Sequence, residues 1–113
     1  MFKLKKETTF IRTAHIDVPT ENPTRPFETH DLRCRFKVVD TDAFEQLLEN
    51  EEDGADVINQ VFIEPVDEIG MDGSDDPLPW NEETRALLLS KPYVRVALLR
   101  AYAEGIRGRK RKN

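Results

Sequence analysis

The sequence predicts an α+β fold, an N-terminal antiparallel β-hairpin followed by three to four α-helices, and three observations lead there. LRCRFKVV sets Leu32, Cys34, Phe36 and Val38 against Arg33, Arg35 and Lys37, the alternation of a strand with one buried face. TTFIRTAHIDV, upstream, alternates less strictly and is separated from it by a proline-rich stretch that cannot be helical. The C-terminal third, Pro77 to Ile106, carries helical spacing on both sides of Pro92.

In chain order, the first strand puts Phe10, Ala14, Ile16 and Val18 on one face and Thr9, Thr13, His15 and Asp17 on the other, with Ile11 and Arg12 breaking the pattern. TENPTRP follows, with Pro19, Pro23 and Pro26, and reads as a turn or exposed loop. Pro23 follows Asn22 directly, so no glycosylation acceptor exists there. The hairpin is marginal alone and needs a helix, a third strand or another subunit on its apolar face. Thr41 or Asp42 is placed to cap a short helix with Phe44, Leu47 and Leu48 inward and Glu45, Glu49 and Glu51 outward, interrupted at Gly54. ADVINQVFI resumes helical spacing, with Val57, Ile58, Val61 and Phe62 on one stripe up to Pro65. VDEIGMDGSDDPLP has no period and reads as a loop.

Asn81 then caps a helix whose first turn holds Glu82 and Glu83, where the dipole favours acids. Pro92, lacking an N–H, starts a second helix, with Lys91 as the hinge and Gly105 and Gly108 ending it. On this last helix Val94, Ala97, Leu98, Ala101, Tyr102 and Gly105 form one face, suited to a core. Val96, Leu99, Ala103 and Ile106 form a second apolar stripe, while Arg100, Glu104 and Arg107 share a narrower charged sector. Either the monomer buries both stripes, or the second one is a surface for self-association or for a partner. We carry Val96, Leu99, Ala103 and Ile106 forward as the candidate site.

At 113 residues the chain has room for one core, so residues 1–106 are expected to be a single domain and residues 107–113 an unstructured basic tail. Hydrophobic content is 38% and charged content 35%, a balance that makes the monomer marginal or dependent on association. Cys34 is the single cysteine, which excludes an intramolecular disulfide and reads as a small buried hydrophobe. No run is long enough for a membrane span, and Met1 to Lys6 leads into no signal-type apolar segment, so a soluble protein in its compartment of synthesis is expected.

The net charge of −5 is unevenly distributed: residues 1–39 carry +3, residues 40–85 carry −15 and residues 86–113 carry +7. The acidic middle and the basic end can attract within a chain or between neighbours stacked head to tail. No catalytic constellation emerges, and no enzyme activity or cofactor is expected: serines lack a triad signature, no glycine-rich phosphate loop occurs, and the carboxylates lie in polar runs. Asp67, Asp72, Asp75 and Asp76 fail the EF-hand register about Gly73, and His15 and His30, even as cross-strand neighbours, lack a third metal ligand. Arg33, Arg35 and Lys37, and the tail cations Arg107, Arg109, Lys110, Arg111 and Lys112, could contact phosphate, but the acidic segment repels a long nucleic acid.

Taken in order, MFKL, the hairpin ending FKVVD, DAFEQLLE, DVINQVFI, MDGSDDPLPW, NEETRALLL, KPYVRVALLRAYAEGI and the closing RKRKN resemble the tail assembly chaperones of long-tailed bacteriophages and their prophage relatives. The resemblance spans nearly the whole chain and supplies no residue-level contact motif. It implies a non-enzymatic, homo-oligomeric assembly factor of the host bacterial cytoplasm, absent from the finished virion. Such a factor coats the tape measure protein, keeps its apolar helices from aggregating and presents it for polymerisation of the tail tube protein. A structural head-tail or tail joining protein and a small nucleic-acid-binding protein are the alternatives.

Overall fold

The computed structural model describes residues 1–42, 45 and 55–107. Its architecture is a three-stranded antiparallel sheet in the order β1-β2-β3, covered on one face by helices. The elements are β1 (Thr9–Pro19), β2 (Phe27–Lys37), α1 (Ala55–Val61), β3 (Phe62–Pro65), α2 (Glu82–Leu89) and α3 (Pro92–Arg107). The expected helix bearing Phe44, Leu47 and Leu48, the interruption at Gly54 and the tail from residue 108 onward lie outside the described residues.

β1 and β2 pair without a break from Thr9↔Lys37 to Pro19↔Phe27. The buried face follows the alternation, with Ala14 and Ile16 of β1 against Leu32, Cys34 and Phe36 of β2. Val38 is a correction: the alternation places it on the core face, yet it lies beyond the last residue of β2 and is 41% exposed. The connection is held by side chains that mimic backbone turns. Asn22 Oδ1 accepts from the N–H and the hydroxyl of Thr24, while Thr20 Oγ1 accepts from the N–H of Asn22 and donates to the Arg25 carbonyl.

The second correction concerns FIEP, read from the sequence as the end of a helix. Helix α1 stops at Val61, and Phe62–Pro65 becomes β3, pairing antiparallel with β2 through Phe36↔Phe62, Arg35↔Glu64 and Cys34↔Pro65. Ile63 is the extra residue of a β-bulge at that register shift. Strict alternation from Glu64, which faces Arg35 on the open side, would turn Phe62 outward. The bulge returns it to the core, where it is 3% exposed.

The centre is a relay of aromatic rings. Phe10 stacks on Phe36 at 5.4 Å and on Tyr102 at 5.8 Å, Phe36 meets Phe62 edge-on at 6.0 Å, and Phe62 meets Trp80 edge-on at 5.9 Å. Each such pair contributes about 0.5–1.5 kcal/mol beyond the apolar area it buries. One contact set therefore joins β1, β2, β3, α3 and the loop before α2. Tyr102 also accepts a hydrogen bond from the Val39 N–H at 3.3 Å, tying the exit of β2 to α3. Burial raises the Tyr102 phenol above its usual range, so it stays a neutral acceptor.

Helix α3 runs along β1 and buries Val94, Ala97, Leu98, Ala101 and Tyr102, the face its spacing predicts. Gly105 completes that face. A Cβ built on it would enter the ring of Phe10. Because Phe10 is wedged between Phe36 and Tyr102, Gly105→Ala is expected to destabilise the domain. Overpacking of about 1–3 kcal/mol exceeds the gain of about 1 kcal/mol from alanine in a helix. A urea titration followed by circular dichroism should show a lowered midpoint for Gly105→Ala and recovery in Gly105→Ala with Phe10→Leu; an unshifted single variant would show that the ring is free to move.

Candidate interaction surface

The candidate stripe is presented by the α2–α3 corner. Asn81, extended, accepts the Thr84 N–H at 2.9 Å through its side chain, and the Thr84 hydroxyl donates to the Pro79 carbonyl at 2.7 Å. Arg85 donates to the carbonyls of Asn59 and Phe62 and lies over the Phe62 ring at 5.8 Å, stapling α2 to the junction of α1 and β3. At the other end Ser90 Oγ donates to the Leu87 carbonyl at 2.6 Å. The Lys91 carbonyl then accepts from Val94 and Arg95, and Pro92 begins α3 where its missing N–H costs nothing. Arg95 reaches back to the Leu89 carbonyl at 2.8 Å, locking the hinge at Lys91.

So positioned, α3 shows the stripe unevenly. Val96 is 44% exposed and Ile106 39%, whereas Leu99 and Ala103 are half-buried and Leu99 packs against the core. The monomer thus covers the middle of the stripe and leaves its two ends open. Val96 borders a hollow of about 260 Å³ shared with Tyr93, Arg100 and Phe27, the last 56% exposed.

Sequence reasoning missed a second apolar feature. Ile69, Leu78, Leu87, Leu88, Tyr93 and Val94 line a groove of about 310 Å³ where the loop before α2 meets the α2–α3 corner. The signal was available in Leu87-Leu88-Leu89, since three successive leucines on a helix cannot all face one core. Leu88 and Leu89 are half-buried against the core, while Leu87 is 41% exposed.

The other sequence candidates separate. His15 and His30 are not paired: His15 opposes Asp31 and His30 opposes Ile16, so the two rings leave opposite faces of the sheet. Asp67 accepts from the backbone and guanidinium of Arg33, which hold its carboxyl below the usual range. Arg35 pairs with Glu64 at 3.3 Å, so two of the three cations on the β2 open face already meet acids of the same chain. Gly73 adopts φ 84° at the third position of a turn closed by the Ser74 N–H on the Met71 carbonyl, a conformation that favours glycine. Cys34 is buried and its thiol is pushed up to about 12, first by burial and then by the charge of Asp67.

Comparison with known proteins finds no matching family model, no matching curated protein and no matching solved structure. Among the described residues no helix is long and apolar enough to cross a membrane.

The exposed pair His15–Asp31, with Nδ1 to Oδ1 2.6 Å, gives a pH signature for the open face. The hydrogen bond to Asp31, then its charge, raises the His15 imidazole above 6.5. A raised folded-state value means that the pair supports the hairpin fully below about pH 6.5 and that this support is lost as pH rises through the folded value. An NMR titration should place the His15 midpoint above 6.5 in the native chain and lower it in Asp31→Asn; identical midpoints in the two would remove the pairing.

Proposed function

We propose that this chain is a non-enzymatic tail assembly chaperone that acts as an oligomer and binds the apolar helices of a tape measure protein during tail-tube assembly. The observation that carries the reading is the apolar stripe of α3, open at Val96 and Ile106 on a rigid helix whose opposite face is already committed to the core. A helix-in-groove or helix-on-helix contact uses such anchors at helical spacing. The whole-chain resemblance in order and phrasing supplies the client's identity, and the strongly charged exterior keeps an apolar complex in solution.

Half-burial of Leu99 decides the choice of variant. An acid at Leu99 would disturb the fold together with the surface, whereas Val96 and Ile106 separate the two. Val96→Asp with Ile106→Asp should keep the native circular dichroism spectrum and a thermal midpoint near that of the parent. The same variant, co-expressed with a tape measure protein as candidate client, should leave at least about tenfold less of it soluble, the effect of losing about 1.4 kcal/mol of binding. If the parent chain does not raise the solubility of that client, or the double variant raises it equally, the reading is wrong.

A further inference from the structure

We propose that the groove beside α2 receives the first segment of a second copy of this chain, residues Met1 to Lys6, so that copies join head to tail. Groove and segment are each incomplete alone. At about 310 Å³ the groove is of the size that holds small ligands or a few side chains, and it is floored by Ile69, Leu78, Leu87 and Leu88. Its own charged lining is Asp72 and Lys91, and Ile69 and Gly70 are shared with an adjoining hollow bordered by Glu68, Asp75 and Asp76. An apolar floor with an acidic flank calls for a peptide that alternates apolar and cationic residues.

MFKLKK is such a peptide. Phe2 is 85% exposed and Leu4 89%, so neither side chain is committed to the core of its own chain. In an extended segment Phe2 and Leu4 point one way and Lys3 and Lys5 the other, matching floor and flank. Among the described residues no ion pair engages Lys3, Lys5, Lys6, Glu68, Asp75 or Asp76, so both sides of the charge match are open.

The fold places the start of β1 and the groove at opposite ends of α3. β1 starts beside the last turn of α3, where Phe10 meets Gly105, while the groove adjoins the first turn, at Tyr93 and Val94. Those turns are roughly 18 Å apart at 1.5 Å per residue. A segment leaving one pole and a groove at the other make a heterologous contact, which propagates into rings or open chains. This inference stands apart from the client reading, because it uses neither Val96 nor Ile106.

The test uses the full chain in sedimentation velocity over a concentration series. One variant, Phe2→Ser with Leu4→Ser, disables the segment; another, Leu87→Arg, disables the groove at an exposed position. The parent should associate with rising concentration, more weakly at about 300 mM than at about 50 mM salt because exposed charges are screened. Each variant should raise the dissociation constant at least about tenfold. Mixed, the two should form a one-to-one heterodimer, since one intact segment then meets one intact groove. Asp75→Lys with Asp76→Lys should weaken association, and adding Lys3→Glu with Lys5→Glu should restore it. A parent that stays monomeric at about 100 μM overturns the proposal. So does association that the segment variant leaves unchanged, or a mixture that stays monomeric, which would place the segment in the groove of its own chain. Loss of client solubilisation with this association intact would fault the client reading alone.

Discussion

The contact on which the structure depends is the wedge of Phe10 between Phe36 and Tyr102, continued through Phe62 to Trp80. A sheet of two long strands and one four-residue strand has little apolar surface, and α3 can cover it only by approaching closely. Small residues permit the approach: Ala97 and Ala101 are buried on the core face of α3, and Gly105 leaves the space that the Phe10 ring fills. The rings then fix the depth and direction of the helix. Every outward feature of α3, including the open ends at Val96 and Ile106, inherits its placement from that wedge.

Electrostatics play a secondary and mostly local part. The acidic middle of the chain meets the basic strand β2 through Arg33–Asp67 and Arg35–Glu64, and Arg12 lies 3.8 Å from Glu104 of α3. None of these pairs is buried, the Arg35–Glu64 pair being half-buried and the others more open, and ion pairs so accessible to water contribute little to stability. Their effect is on availability. By occupying Arg33 and Arg35 they remove most of the cationic row that alternation displays on β2, and with it the simplest phosphate-binding face. The charges that stay open are segregated, with lysines at the start of the chain and carboxylates around Asp75 and Asp76.

What could be read in advance was whatever is local. The β1 and β2 faces, the cap at Asn81, the role of Pro92 and the buried face of α3 all follow from period or from single-residue stereochemistry. The strand β3 was hidden because Phe62 falls on the helical stripe of Val57, Ile58 and Val61 as naturally as it falls opposite Phe36. The bulge at Ile63 that decides between them depends on a partner 26 residues away. The start of β2 at Phe27 was hidden for another reason: FETHD is exposed on both faces, so no alternation marks it. In the candidate site the ends of the stripe were legible, but the half-burial of Leu99 and the groove at Leu87 were not, because both depend on tertiary packing that no local period reports.

The bulged, four-residue β3 ending in Pro65 has a consequence for the company the molecule keeps. A sheet edge is an open template for any extended chain. Here β3 covers β2 only from Cys34 to Phe36, so the open rim on that side is the Phe27–Leu32 half of β2, while the other rim is shadowed by α3 running beside β1. Beyond β3 the open rim is guarded by charge instead of by a neighbour: Glu28 and Asp31 lie exposed along it and disfavour pairing with another chain.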